Sequence, residues 1–186
     1  LHPNDHVNCS QSTNDAYPTA IKLAVLLSSR NLVRAMFELE RALEQKAEEF
    51  KDVLKMGRTE NQDAVPMTLG QEFSAYAVMI ASAIRAVERG ADELMDINMG
   101  ATAIGTGINS PPGYADLVTR KLAEVSGFPL RRARNLVEAT QNAGAFVQMS
   151  ASLKRAAVQI SKVCNDLRWL SSGPRCGLNE INLPSM

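Results

Sequence analysis

Apolar residues recur at alternating four- and three-residue steps in three separate stretches of the chain. The first holds Ile21, Val25, Leu32, Ala35, Leu39 and Ala42, with Ser28 as its one polar interruption. The second holds Leu69, Phe73, Tyr76, Ile80, Ala83, Val87, Leu94 and Ile97, broken only by Gly90. The third holds Ala143, Phe146, Leu153, Ala157, Ile160, Cys164 and Leu167, with Ser150 at the remaining step. A period of about 3.5 residues over roughly 25 positions is the seam of a long helix packed at a shallow angle against other long helices. At about 1.5 Å per residue each helix should reach roughly 40 to 50 Å. The expected fold class is therefore all-α, a long-helix bundle whose seams are buried in an elongated bundle or across subunits.

Capping chemistry marks where these helices begin. Ser12-Thr13-Asn14-Asp15 offers four capping side chains before Pro18, and Thr68 precedes Gln71 by three residues, the spacing of a capping box. Gly100 to Gly113 is rich in Gly and Pro and predicts a connector, with a short helix over Tyr114 to Ser126 that Gly127-Phe128-Pro129 ends. Ser171 to Gly177 stops the third long helix, and the tail to Met186 is loop-like. No segment shows a persuasive strand pattern, and no repeat shorter than a whole helix is present.

Composition narrows the function. The chain has 20 Lys+Arg against 20 Asp+Glu, so nothing in its global charge favours nucleic acid or an anionic membrane. Hydrophobic residues at 45% and charged residues at 22% fit a globular chain with a sizeable core. No membrane span or signal peptide is visible. Cys9, Cys164 and Cys176 form no C-x-x-C pair, and His2 and His6 are too few to define a metal site, so a reduced, cytoplasmic setting and no metal are expected.

Three polar segments adjoin the long helices. Leu1 to Pro18 concentrates Asn4, Asn8, Ser10, Gln11, Ser12, Thr13 and Asn14, which at a helix start can hold a carboxylate or phosphate, or simply form a cap and an Asx-rich turn. Gly57-Arg58-Thr59-Glu60 with Gln62-Asp63 reads either as an anion-binding fork from Arg58 and Thr59 or as an exposed turn with an Arg–Asp pair. Gly100 to Gly107 lacks the Lys of a phosphate loop and reads better as a tight connector. Neither Cys9 nor Cys176 has an evident base.

Four words across these segments resemble the fumarase/aspartase superfamily, most closely its aspartate ammonia-lyase branch. They are His2-Pro-Asn-Asp5 through Ser10-Gln-Ser-Thr-Asn-Asp15; Gly57-Arg-Thr59 with Gln62-Asp-Ala-Val-Pro-Met-Thr-Leu-Gly-Gln-Glu72; Gly100-Ala-Thr-Ala-Ile-Gly-Thr-Gly107; and Ser171-Ser-Gly-Pro-Arg-Cys-Gly-Leu-Asn-Glu180. The resemblance implies a homotetramer on a central bundle of long helices, each active site assembled from three subunits. It implies dicarboxylate binding by Ser12, Thr13, Asn14 and Thr59, and a second dicarboxylate site at His2, Asn4 and Asp5. It requires no cofactor and no metal. The wording around Ala64 to Met67 and Ala101 to Ile104 is closer to aspartases than to fumarases.

This sequence departs from the family pattern in places. Glu60 stands where fumarases carry a His and some aspartases a Gln. A carboxylate beside a dianion is costly unless it is protonated or faces the substrate's ammonium, and the latter would favour an amino acid over malate. Cys9 stands where a Lys is expected. The third signature, a mobile loop carrying the Ser base, should begin just beyond Pro184, and the N-terminal domain is absent as well. Residues 1 to 186 thus read as a fragment of the central helical domain, with no catalytic base of its own and no activity expected alone. The expected parent reaction is reversible elimination of ammonia from L-aspartate to fumarate. Fumarate hydratase, argininosuccinate lyase and a non-catalytic helical assembly module are the alternatives.

Overall fold

In the computed structural model, which describes residues 1–185, the chain is mostly helical. Its order is a π-helical turn at Pro3–Val7, α1 (Thr13–Glu49), β1 (Leu54–Thr59), β2 (Gln62–Thr68), α2 (Leu69–Glu93), β3 (Asp96–Ile97), α3 (Tyr114–Ser126), β4 (Arg131–Arg132), α4 (Leu136–Gln141) and α5 (Gly144–Leu170). Two compact units form, one from residues 1–32 with 87–151 and one from residues 33–86 with 152–186.

In the first unit, Leu26, Val87, Leu94, Ile97, Met99, Phe128, Leu130 and Met149 are buried. The parallel pair β3–β4 is only two residues long on each side. Arg131 pins it by donating to the carboxylates of Asp96 at 2.7 Å and Asp92 at 2.9 Å. The short helix α3 has the predicted bounds, because left-handed Gly113 and Gly127 flank it and the Gly127 N–H closes its last turn on Ala123.

In the second unit, Met36 and Leu43 of α1, Leu69, Phe73, Tyr76, Ile80, Ala83 and Ile84 of α2, and Ala156 and Val163 of α5 share one core. Phe50, Phe73 and Tyr76 stack edge to face through it, with centroids 5.4 and 5.7 Å apart. The capping box opens α2 as expected: Gln71 N–H donates to Thr68 Oγ1 at 3.2 Å, and Thr68 N–H to Gln71 Oε1 at 2.9 Å.

Two expectations need correction. The absence of strands fails at β1–β2, an antiparallel hairpin with an irregularity between Met56 and Arg58. Its strands are mostly exposed, so they lack the in–out alternation that makes a strand legible. The second seam is buried as read, although α2 ends at Glu93 and the seam's last residue, Ile97, lies in β3 instead of the helix. The seams of α1 and α5 are displaced by one position. The faces buried there carry Leu26, Ser29, Met36 and Leu43, and Met149, Ser152, Ala156 and Val163. Leu32, Leu39 and Leu153 of the expected seams remain about one-third exposed, at 37%, 36% and 37%. A helix with two adjacent apolar stripes satisfies either register, and the pattern alone does not say which stripe its own chain covers.

Candidate active site

The start of α1 is built around one carboxylate. Ser12 caps the helix, its Oγ accepting from Asn14 N–H at 3.2 Å, while its own N–H donates to Asp15 Oδ1 at 2.9 Å. The other oxygen of Asp15 accepts from the backbone N–H groups of Gly100 at 3.1 Å and Thr102 at 2.9 Å. Asp15 is 0% exposed. Three backbone donors in place of a cation meet the cost of burying its charge.

Pro18 adds a second tie. Its ring nitrogen has no hydrogen, so the Asn14 carbonyl four residues earlier loses its helical partner. The fully buried Asn98 supplies one, its Nδ2 donating to the Asn14 carbonyl at 3.0 Å and to Thr140 Oγ1 at 3.2 Å. Asn14 in turn donates from Nδ2 to the Ala103 carbonyl at 2.7 Å. What this end of α1 offers a ligand is the hydroxyl hydrogen of Ser12, the exposed hydroxyl of Thr13, and the Oδ1 and second amide hydrogen of Asn14.

The connector from Gly100 to Gly107 is therefore a wall of this site as well as a link between helices. Gly100 is required there, since its φ is +92° and a Cβ would sit 2.6 Å from Ala115. Lys22, two turns along α1, is 7% exposed and donates from Nζ to the Asp96 carbonyl at 2.6 Å. Burial pushes its ammonium below the ordinary lysine range, against the opposing pull of Asp96 and Glu138.

His2, Asn4 and Asp5 lie in and beside the π-helical turn, all exposed. His2 Nδ1 accepts from Asp5 N–H at 3.3 Å and lies 3.0 Å from the Asp5 carboxylate, so an anion arriving here meets the Nε2 side of the ring.

In the second unit, Thr59 ends β1 and pairs with Gln62, leaving Glu60 and Asn61 as a two-residue turn at φ +51° and +64°. That is the left-handed pair a tight hairpin demands, occupied by a Glu where Asn or Gly is usual. Thr59 and Glu60 are both exposed. The Arg–Asp pair of one of the two readings is not formed: Arg58 donates to Glu180, not to Asp63, and stacks over Trp169 at 5.4 Å. Lys55 joins the same cluster, 2.5 Å from Glu72 and 3.2 Å from Glu180. The Arg58 hydrogen bond, with Lys55 beside it, holds the Glu180 carboxyl below the usual range despite partial burial.

The sequence model of the Lyase family matches residues 1–186. The chain belongs to the Lyase family. Its membership of the fumarase/aspartase superfamily, as its motifs imply, is supported by near relatives. It is 57% identical over 186 residues to the aspartate ammonia-lyase of Escherichia coli K12 and 60% identical over 185 residues to that of Helicobacter pylori 26695. The matches cover 100% of this chain but only 39% and 40% of those proteins, so the chain spans about two-fifths of their length. Among solved structures, a fumarate lyase:delta crystallin from Brucella melitensis bound to cobalt superposes with a TM-score of 0.97 at 51% identity, over 100% of this chain and 40% of that one. A class II fumarase from Schistosoma mansoni gives 0.88 at 33% identity, over 95% and 40%.

Within this Lyase-family chain, Ser12, Thr13 and Asn14 are gathered at one helix start of the first unit, where His2, Asn4 and Asp5 also lie, while Thr59 and Glu60 belong to the second. Sequence reasoning gave Asp15 as one of four caps and Asp15 and Glu180 as parts of two motif words, without the role of either, and did not find Asn98. Pro18 was the available signal for Asn98, because an intrahelical proline frees a carbonyl that a buried donor must meet. Among the described residues no three His, Cys, Asp or Glu side chains are grouped to hold a metal, and no helix is long and apolar enough to cross a membrane.

Proposed function

We propose that the protein carrying this chain is an aspartate ammonia-lyase, eliminating ammonia reversibly from L-aspartate to give fumarate. The observation that carries this reading is identity of 57% and 60% to aspartate ammonia-lyases along the whole chain. A base takes the proton from Cβ, the carboxylate beside it becomes a transient aci-carboxylate dianion, and the Cα–N bond then breaks to release ammonia.

In this reading residues 1–186 are part of the central helical domain of a cytoplasmic homotetramer. Each active site draws on three subunits, so Ser12, Thr13, Asn14 and Thr59 need not come from one chain to hold the same substrate. The hydroxyls of Ser12, Thr13 and Thr59 and the second amide hydrogen of Asn14 donate to the substrate carboxylates, and Asn14 Oδ1 remains as an acceptor. The base is assigned to the family's third signature loop, which follows the position of Pro184. His2, Asn4 and Asp5 form a second dicarboxylate site. Exposed Leu32, Phe37 and Leu39 on α1 and Leu153 and Val158 on α5 support association through helix faces, and three unpaired cysteines suit a reducing compartment.

Glu60 favours aspartate over malate, because its carboxylate complements an ammonium and repels a hydroxy dianion. Fumarate hydratase is the second reading, supported by the 33% identity to a class II fumarase. Thr13→Ala and Thr59→Ala in the full-length enzyme test the assignment. Each should lower kcat/KM for L-aspartate by roughly 100- to 1,000-fold, the scale of one lost oxyanion donor. Unchanged kcat/KM in both variants contradicts it.

A further inference from the structure

We propose that Asp15 is a positioning residue that sets the ligand-facing groups of Ser12, Thr13 and Asn14 by clamping them to the loop from Asn98 to Ala103. The inference rests on the proposed function for what those groups bind, but the clamp itself stands on geometry within one unit.

An ordinary capping box needs one carboxylate oxygen, and here Oδ1 fills that role on Ser12 N–H at 2.9 Å. The second oxygen reaches 85 and 87 residues along the chain to Gly100 and Thr102. Thr102 is held at φ +58°, a left-handed conformation unusual for a β-branched residue that persists only where the surroundings over-determine it. Two further bonds cross in the same place: Asn98 Nδ2 to the carbonyl that Pro18 orphans on Asn14, and Asn14 Nδ2 to the Ala103 carbonyl. Asp15 and Asn98 are both 0% exposed, so the clamp lies beneath the site, while Thr13 and Asn14 above it are exposed.

The arrangement fixes which atoms remain for a ligand. Asn14 has spent an amide hydrogen on Ala103, and Ser12 has spent its hydroxyl oxygen on the helix, so their rotamers are set before any ligand arrives. Such preorganisation is where a displacement of about 1 Å can cost roughly 100-fold in rate.

Asp15→Asn in the full-length protein is the sharpest test, since it keeps the outline and turns one acceptor into an amide facing an N–H. Hydrogen exchange at Gly100 and Thr102 reads the clamp without any substrate, and should quicken at least about tenfold in Asp15→Asn. The kinetic expectation is a fall of about 100-fold in kcat/KM for L-aspartate, with Asp15→Asn/Thr13→Ala little worse than the poorer single variant, because both act through one group. Losses that multiply in the double variant, or wild-type kcat/KM in Asp15→Asn, overturn the positioning role. Unchanged exchange overturns the clamp. A wild-type protein that releases no fumarate from L-aspartate overturns the proposed reaction instead, and exchange still judges the clamp.

Should Asp15→Asn not fold, Asn98→Leu removes the Asn14 tie together with a buried oxygen, Asn98 Oδ1, that has no partner among the described residues. Its expected signature is a KM for L-aspartate raised about tenfold with helical content unchanged. An unchanged KM in a folded Asn98→Leu variant counts against the clamp.

Discussion

The guanidinium of Arg58 donates to the carboxylate of Glu180, 122 positions further along the chain. This bond ties the strand that ends in Thr59 to the segment that follows α5. Side chains of Lys55 and Arg58 are only 8% and 15% exposed, so Glu180 is the counter-charge of two largely desolvated cations, with Glu72 sharing Lys55.

Glu180→Gln should therefore destabilise the chain by about 2 to 3 kcal/mol at neutral pH, less than the loss of a fully buried pair because the carboxylate is partly solvated. The effect is pH-dependent. Folding lowers the Glu180 pKa, so its stabilisation is complete above the unfolded value of roughly 4.3 and drains away as pH falls through the folded one. Urea melts from neutral to acid pH should show the two proteins converging in acid. A gap that stays constant into acid contradicts the assignment.

Thr68→Ala should cost about 1 kcal/mol, because it removes the hydroxyl that satisfies Gln71 N–H at the first turn of α2. Thermal melts of Thr68→Ala, Gln71→Ala and the double variant check this. The double variant should lose less than the two single losses combined, since the residues cap one another reciprocally.

Tyr76→Phe should cost about 1 kcal/mol. Tyr76 is 1% exposed and donates from Oη to Asp166 at 3.0 Å. Burial first, then Glu72 and Asp166, pushes its phenol far above the usual tyrosine range, so it stays a donor through alkaline pH. A pH titration of the tyrosine absorbance should show Tyr76 as the last tyrosine to ionise before unfolding.

The helical part of this structure was legible wherever one signal dominated. Leu69 through Val87 buries the stripe that its period implies along α2, whereas Leu94 and Ile97 are buried beyond the helix, which ends at Glu93. The box at Thr68–Gln71 and the glycines around α3 mark true ends. The hairpin was invisible because β2 is exposed from Gln62 to Pro66, the inward positions of β1 are the charged Lys55 and Arg58 rather than apolar residues, and Pro66 and Gly57 interrupt any alternation. Proposed site residues with their own chemical character, such as Thr13 and Thr59, could be named from motifs. Asp15 and Glu180 stand in those motifs too, but their roles and that of Asn98 were not legible, because they depend on backbone groups and partners some 80 to 120 residues away, which no local pattern encodes.

Leu32 and Leu39 on α1 are 37% and 36% exposed, on the face that the sequence pattern marks for burial. Leu32→Asp/Leu39→Asp should leave the helical content of the full-length protein unchanged while shifting sedimentation from the proposed tetramer to smaller species. A variant that still sediments as the wild type removes this face from the proposed assembly.

Glu60→Gln isolates the charge of Glu60, since Gln keeps its length and meets the same left-handed backbone. It should raise KM for L-aspartate about tenfold, the scale of one lost charge pairing of roughly 1.4 kcal/mol. An unchanged KM places Glu60 outside the ammonium's reach.

The most direct measurement is the rate at which the full-length protein forms fumarate from L-aspartate and from L-malate, followed by the ultraviolet absorbance of fumarate with ammonia assayed in parallel. The account predicts fumarate and ammonia in equal amounts from L-aspartate, at a rate at least about 100-fold above that from L-malate, the margin a misplaced charge imposes. Comparable turnover of L-malate, or none of L-aspartate, contradicts it.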